Sequence, residues 1–119
     1  MPTRSTTTWR RGDVVLVPVG FTDQSGAKRR PAVIVSSDDY NAQSPNVMIA
    51  SITSNLLAVR HPGDHQIHDW EGAGLLRPSL AQAKIATVEP AVIDRRLGRL
   101  SPDDLAALDG GLREVLGLS

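Results

Sequence analysis

The sequence predicts a mainly β fold of the α+β class, in which a small curled sheet is followed by one C-terminal helix. Four segments are rich in Val, Ile, Leu and Ala and have the length and flanking turn residues of strands: 13–19, 31–36, 46–53 and 79–88. A capped segment with helical spacing of its leucines begins at Ser101. Aromatic residues make up only 3% of the chain, so its core has to be aliphatic, which favours strands.

The length of 119 residues is enough for one domain but not for two independent cores. We assign residues 11–119 to this domain and the polar residues 1–10 to a disordered N-terminal tail that lacks the apolar stretch of a signal peptide. The chain has no cysteine, which excludes disulfides and thiolate metal sites and favours an intracellular location. No apolar run approaches the length that spans a membrane, so we expect a cytoplasmic protein.

The strands follow one another with turn signals between them. The first ends near Pro18, which is typical of a sheet edge, and residues 20–28 form a loop that ends in a basic triplet. Residues 38–45 look like a polar turn or one helical turn. Residues 64–69 alternate weakly and predict a short strand before a glycine turn. A sheet of about five to seven strands closed on itself covers these faces most simply.

The last segment is the clearest helix. Ser101 is a good N-cap, Pro102 suits the first helical position, and two aspartates follow where the helix dipole favours negative charge. The apolar face is predicted to consist of Leu105, Leu108, Leu112, Val115 and Leu116.

The charges are unevenly distributed although the formal net charge is zero. Seven Lys/Arg face four Asp/Glu up to Pro62, and six face nine from Gly63 onward, so an anion site should lie mainly in the first half. The scarcity of aromatic rings argues against RNA readers that stack bases on exposed Phe and Tyr.

Five blocks of sequence, in order, resemble the MazF/PemK family of ribonuclease toxins. They are RGDVVLVPV, KRRPAVIVSSDDYN, ASITSN, LLRPSLAQAKIATVE and LGRLSPDDL, which together cover nearly all of the chain after the tail. The resemblance implies a small barrel of the CcdB/PemK type, which is SH3-like, with a C-terminal helix. It also implies a homodimer, without cofactor, that cuts single-stranded RNA and is neutralised by an antitoxin with an acidic, disordered C-terminal segment.

The same resemblance implies that Arg30 and Thr53 form the active site. In the family reaction the ribose 2′-hydroxyl attacks its own phosphorus, leaving a 2′,3′-cyclic phosphate and a 5′-hydroxyl without the help of a metal. A guanidinium can donate charge-assisted hydrogen bonds to the phosphorane oxygens, and a threonine hydroxyl can add one more. We expect Arg30 to stabilise the transition state, because guanidinium remains protonated in proteins. Which groups act as general base and general acid is left open.

Further residues are candidates for binding RNA. Lys28 and Arg29 would hold flanking phosphates, Gln24 and Ser25 lie in the loop that closes over substrate in relatives, and Gln82 could offer an amide to a base edge. The RNA word that is cut, the natural RNA target and the antitoxin's identity are not readable from these residues.

We expect no metal site. His65 and His68 should point to opposite faces of a strand, and neither they nor His61 are joined by a set of further ligands. The pair Asp38 and Asp39 is typical of a turn. Trp70 is interpreted as a core or dimer anchor, and Trp9 as a cover for a sheet edge.

Two other functions are compatible with the same fold. CcdB-like toxins use this small barrel to bind DNA gyrase and are not enzymes, and a family member could also have lost activity and only bind RNA or antitoxin. The pair Arg30 and Thr53 favours the nuclease. The C-terminus also has no exposed aromatic residue to anchor a partner such as gyrase.

Overall fold

A computed structural model describes residues 8–18 and 28–118 of the chain. The strands are β1 (Asp13–Pro18), β2 (Arg29–Ile34), β3 (Val47–Thr53), β4 (His65–Gln66), β5 (Leu80–Val88) and β6 (Arg95–Arg99). The α-helices are α1 (Asp38–Gln43) and α2 (Pro102–Leu116), and a 3-10 turn occupies Pro90–Val92. The mainly β fold with a C-terminal helix that the sequence predicts is confirmed.

The strands form one six-stranded sheet in the order β4-β5-β3-β2-β1-β6. Every neighbouring pair is antiparallel, so β2 lies between β1 and β3 near the middle of the sheet. The sheet curls into a half-barrel whose two edge strands, β4 and β6, do not pair with each other.

A glycine-containing turn approaches the β6 edge instead of a paired strand. Gly74 has a φ of +81°, and a Cβ atom there would lie 2.1 Å from the carbonyl oxygen of Leu97 in β6. A Cβ atom on Gly98 would in turn lie 2.6 Å from the carbonyl group of Ala73. Only glycine at both positions allows the two backbones to come this close.

Strand β1 is largely buried on both faces of the sheet, which explains why it is an apolar run and not an alternating one. One core cluster contains Val14, Val33, Ile52 and, from α2, Leu108 and Leu112. The other lies on the opposite face and contains these residues: Val15, Val17, Ala32, Ile34, Val47, Ile49, Val88 and Ile93.

Helix α2 begins as the sequence predicts, with Ser101 as N-cap: its hydroxyl accepts from the Asp104 N–H at 3.1 Å. Leu108 and Leu112 are buried. The prediction that Val115 and Leu116 share this buried face is wrong, since they are 44% and 56% exposed in the last turn. None of the helices in the described part of the chain is long and apolar enough to cross a bilayer.

Two elements differ from the sequence-based expectation. The weak strand at residues 64–69 shortens to His65–Gln66, and β6, whose sequence is RRLGR, is not predicted at all. Strand β6 pairs with β1 in an antiparallel ladder, and its arginines are held by the buried Asp13, which accepts from Arg99 Nη1 at 2.7 Å and lies 3.3 Å from Arg96 Nε.

Residues assigned to the tail also contact the fold. Trp9 packs against the second core cluster, where the sequence suggests an edge cover, and its carbonyl accepts from Asn41 Nδ2 at 2.9 Å. The Arg10 N–H donates to Asp13 Oδ2 at 2.8 Å. Trp70 packs, partly buried, against the first cluster.

Candidate active site

Arg30 and Thr53 lie near the adjoining ends of two neighbouring strands, β2 and β3. The β2–β3 ladder pairs Ile34 with Ile49 and Ala32 with Ser51. Beyond Ser51 and Ala32 the two strands continue to Thr53 and back to Arg29, so Arg30 and Thr53 lie just past the same end of this ladder. The two residues are therefore close together although 23 positions separate them in the sequence.

Both side chains line one open cavity of about 460 Å³. Side chains two positions apart share a face of a strand, which puts Ser51 on the same wall as Thr53. Strand β5 closes the cavity with Gln82 and Lys84. The apolar part of the wall includes Val17, Ala32 and Ile49 of the second core cluster, so a packed core supports the polar groups.

The cavity suits an anion. Arg30 and Lys84 are its charged residues, and no Asp, Glu or His is among the described residues that line it. Arg30 is exposed and has no ion-pair partner within residues 8–18 and 28–118. Its guanidinium is consequently available to donate several hydrogen bonds to a phosphate.

Thr53 is oriented by its own backbone turn. Its Oγ1 accepts the Asn55 N–H at 3.1 Å, where the chain leaves β3. A hydroxyl that accepts one hydrogen bond keeps its own O–H to donate. The threonine can thus contribute one neutral donor beside the charged donors of Arg30.

The structure brings together three of the residues singled out in the sequence, namely Arg30, Thr53 and Gln82. Three polar residues of the cavity were missed: Ser51, Asn55 and Lys84. Two of them follow from the alternation of strands, since Ser51 lies two positions before Thr53 and Lys84 two positions after Gln82.

The remaining candidates lie elsewhere. Arg29 faces the other side of the sheet, where it lines a second cavity and lies 3.8 Å from Asp94. Lys28 is exposed just before β2 and is not among the residues of the Arg30 cavity. Gln24 and Ser25 lie outside the described residues.

The His65 ring and the His61 backbone make structural hydrogen bonds. His65 Nε2 is 2.8 Å from Asp104 Oδ1, and the backbone N–H of His61 donates to Asp64 Oδ2 at 3.0 Å. The rings of His65 and His68 are 5.5 Å apart, so the expectation that they face opposite ways is wrong; β4 ends at Gln66 and the alternation stops there. Within the described part of the chain, no three His, Cys, Asp or Glu residues are grouped as metal ligands would be.

Asp104, in the first turn of α2, is hydrogen-bonded to residues 65–69. Burial by itself raises the pKa of the Asp104 carboxyl, but hydrogen bonds from the His68 and Asp69 amides and from the His65 and Ser101 side chains outweigh it and lower the pKa to about 2. This carboxylate is charged at neutral pH and fastens the start of α2 to the chain after β4.

The pair Asp38 and Asp39 occupies the first turn of α1, where the dipole favours carboxylates. Asp38 Oδ1 accepts the Arg11 N–H at 2.8 Å. These aspartates therefore serve the helix and its contact with the chain before β1.

Comparison with known proteins identifies the family. The model of the family described as "PemK-like, MazF-like toxin of type II toxin-antitoxin system" matches residues 10–116. The chain is 30% identical over 113 residues to an endoribonuclease MazF of Staphylococcus epidermidis, an alignment that covers 92% of each chain.

Solved structures share the fold. An endoribonuclease in complex with its cognate antitoxin from a mycobacterial species superposes with a TM-score of 0.74 at 19% identity, covering 96% of this chain and 98% of that one. A MazE–MazF structure from Deinococcus radiodurans gives a TM-score of 0.74 at 24% identity, covering 95% and 100%. With the family model and the staphylococcal relative, the resemblance drawn from the sequence blocks is confirmed: this chain belongs to the PemK-like, MazF-like family of toxins of type II toxin-antitoxin systems.

Proposed function

We propose that this endoribonuclease is the toxin of a toxin-antitoxin pair and cuts single-stranded RNA at specific sequences without a metal. The observation that carries the proposal is that Arg30 and Thr53 line one cavity whose described residues include two cations and no carboxylate. Such a site attracts a phosphodiester and stabilises the additional negative charge that the phosphorus acquires during cleavage.

In the proposed reaction the 2′-oxygen of the substrate bonds to the adjacent phosphorus while the bond from phosphorus to the 5′-oxygen breaks. The 2′-hydroxyl passes its proton to water and the leaving 5′-oxygen takes one up, which gives a 2′,3′-cyclic phosphate and a 5′-hydroxyl. Arg30 donates to the phosphorane oxygens, and the Thr53 hydroxyl donates one further hydrogen bond. The planar guanidinium can grip two oxygens at once, which a point charge cannot.

Lys84 is our candidate for protonating the leaving oxygen. Of the described residues around the cavity, only Lys84 and Arg30 carry ionisable groups, and guanidinium does not release its proton in proteins. An ammonium can give a proton to a departing alkoxide and also adds positive charge next to the phosphate. Gln82 lies on the same strand and would offer its amide to a base edge.

The remaining elements of the proposal concern partners. The resemblance to this family implies a homodimer, which we place in the cytoplasm, and Lys28, Arg29, Gln24 and Ser25 would help it to hold RNA. It also implies an antitoxin whose acidic, disordered segment competes for the groove, since a surface made for phosphates attracts carboxylates as well.

The test is incubation of the purified chain with a long single-stranded RNA in millimolar EDTA. We expect cutting at a limited set of sites, with 5′-hydroxyl ends, and no stimulation by added zinc or magnesium. The same protein carrying Arg30→Ala should leave the RNA intact. Activity that disappears with EDTA and returns with metal would contradict the metal-free mechanism, and intact RNA with the unaltered protein would contradict the enzymatic function.

A further inference from the structure

A second cavity of about 530 Å³ lies on the other face of the sheet and is rich in arginine. Four of its lining residues are Arg29, Arg77, Arg95 and Arg96, and no Asp or Glu is among the described residues that line it. Its apolar wall includes Leu16, Leu75 and Leu97. Cationic groups around an apolar floor are suited to a ligand that is both anionic and partly apolar.

Carboxylates of the described residues lie close to three of these four arginines. Asp94 lies 3.8 Å from Arg29 Nε and 4.0 Å from Arg95 Nε, and Asp13 lies 3.3 Å from Arg96 Nε. Among residues 8–18 and 28–118, two carboxylates therefore neutralise three of the arginines, and Asp13 is shared with Arg99. Arg77 has no ion-pair partner in the described ranges 8–18 and 28–118 and is exposed.

The second cavity adjoins the active-site cavity at the ends of β2 and β3. Arg30 lines the first cavity and its neighbour Arg29 lines the second. Likewise, Thr53 lines the first cavity and its neighbour Ser54 lines the second, and Pro31 lines both cavities. A chain whose phosphate sits on Arg30 thus reaches the second cavity by passing over this end of the half-barrel.

We infer that the second cavity binds nucleotides of the RNA strand that flank the cleaved bond. The inference rests on the proposed ribonuclease function and extends it. Arginine donors match phosphate oxygens, and guanidinium planes also stack on bases. The side chain of Leu76 is 90% exposed at the cavity and offers an apolar surface that an unpaired base can cover.

The experiment uses oligoribonucleotides centred on a cleavage site mapped with the unaltered protein, with a single 2′-deoxy sugar that prevents cutting. One series is extended stepwise on the 5′ side and the other on the 3′ side, and each dissociation constant is measured by fluorescence anisotropy. For the unaltered protein we expect affinity to rise with added nucleotides on one side only. Arg77→Ala should weaken the binding of the extended oligonucleotides about tenfold, which corresponds to about 1.4 kcal/mol. It should leave binding and cleavage of the shortest substrate unchanged.

Salt dependence supplies an independent readout. Loss of one phosphate contact to single-stranded RNA should reduce the slope of log affinity against log salt by about 0.7 for the longer oligonucleotides. Arg113→Ala, an exposed arginine in α2 that lines neither cavity, is the matched control and should leave both readouts unchanged.

Three results would overturn the inference. The first is an equal affinity gain in the Arg77→Ala and unaltered proteins, and the second is weaker binding of an acidic peptide by Arg77→Ala without an effect on RNA. The third is dissociation of a dimer by Arg77→Glu, measured by sedimentation. The last two would assign the cavity to a protein partner. Failure of the unaltered protein to cut RNA at all would instead contradict the proposed function, so the two failures are distinguishable.

Discussion

At the scale of single residues, the alternation of a strand separates functions that look merged in the sequence. The basic triplet 28–30 reads as one positive patch, yet Arg29 and Arg30 line different cavities on opposite faces of the sheet. The pairing of Arg30 with Thr53 was predictable from sequence only through the family resemblance. Lys84 was not predicted: it shares the face of β5 with Gln82, two positions before it, but nothing in the sequence marks that face as the wall of a cavity.

The first prediction concerns the geometry of the guanidinium. Arg30→Lys should lower the cleavage rate by about a hundredfold or more although the charge is kept, since an ammonium cannot grip two phosphorane oxygens. Arg29→Lys is the matched control, as the neighbouring position faces away from the cavity, and should retain the rate on a short substrate. Thr53→Val should be impaired less than Arg30→Ala, because it removes one neutral donor. Single-turnover cleavage measures all four, and a fully active Arg30→Lys protein would refute the assigned role.

The second prediction concerns the leaving group. Lys84→Ala should slow cleavage by about a hundredfold or more, in the range of a lost general acid. The cleavage rate of the Lys84→Ala protein should recover on a substrate whose 5′-oxygen is replaced by sulfur, because a thiolate leaves without being protonated. Lys84→Arg keeps the charge and should show the same defect and the same recovery. If Lys84→Arg is as fast as the unaltered protein on the natural substrate, the lysine contributes charge and not a proton.

At the scale of elements, strands made of apolar runs and the capped helix were predictable from the sequence, whereas the arginine-rich strand β6 was not. The sequence RRLGR of β6 has no hydrophobic alternation, and its arginines pair with Asp13, which lies more than 80 residues away in β1. The length of β4 was predicted too long because a weak apolar pattern is present there. Its apolar alternation continues to Ile67, but the backbone there turns toward Asp104 of α2.

The third prediction tests the connection between α2 and the segment after β4. The folded-state pKa of Asp104 is about 2, below the ordinary value of 3.8, so the charged form stabilises the fold above about pH 4 and this contribution is lost as the pH falls toward 2. Asp104→Asn should therefore unfold more easily in urea at pH 7 by about 2 kcal/mol or more and lose this part of the acid dependence. Asp103→Asn, exposed in the same turn, should behave as the unaltered protein. Equal stability of the two variants would contradict the assignment.

The fourth prediction uses two adjacent glycines in α2. A Cβ atom on Gly110 meets nothing within 4 Å, whereas one on Gly111 would lie 2.8 Å from the carbonyl oxygen of Gly63. Gly110→Ala should raise the free energy of unfolding by up to about 1 kcal/mol through helix propensity. Gly111→Ala should lower it, because the helix must move away from the loop before β4. Urea unfolding at equilibrium gives both values, and a shift of the same sign in the two variants would show that the contact with Gly63 is unimportant.

At the scale of the whole molecule, the half-barrel places two cavities at one end of the sheet and separates them by β2. The fold class followed from strand-length aliphatic runs and one terminal helix. The close approach of the turn at Gly74 to β6 did not, since a glycine in the sequence carries no information about which backbone it will meet. The cavity also depends on the β2–β3 register, which brings Arg30 and Thr53 together and which the local pattern leaves undetermined.

The most direct test of the central claim is the fate of an RNA oligonucleotide with one 2′-deoxy sugar at the mapped cleavage position, compared with the all-ribose strand in EDTA. The phosphate contacts survive this substitution and only the attacking oxygen is removed. We predict that the two strands bind with similar affinity, that the all-ribose strand is cut to a 2′,3′-cyclic phosphate and a 5′-hydroxyl, and that the deoxy strand stays intact. Efficient cutting of the deoxy strand would show that the nucleophile is not the substrate's own hydroxyl and would contradict the mechanism assigned to this site.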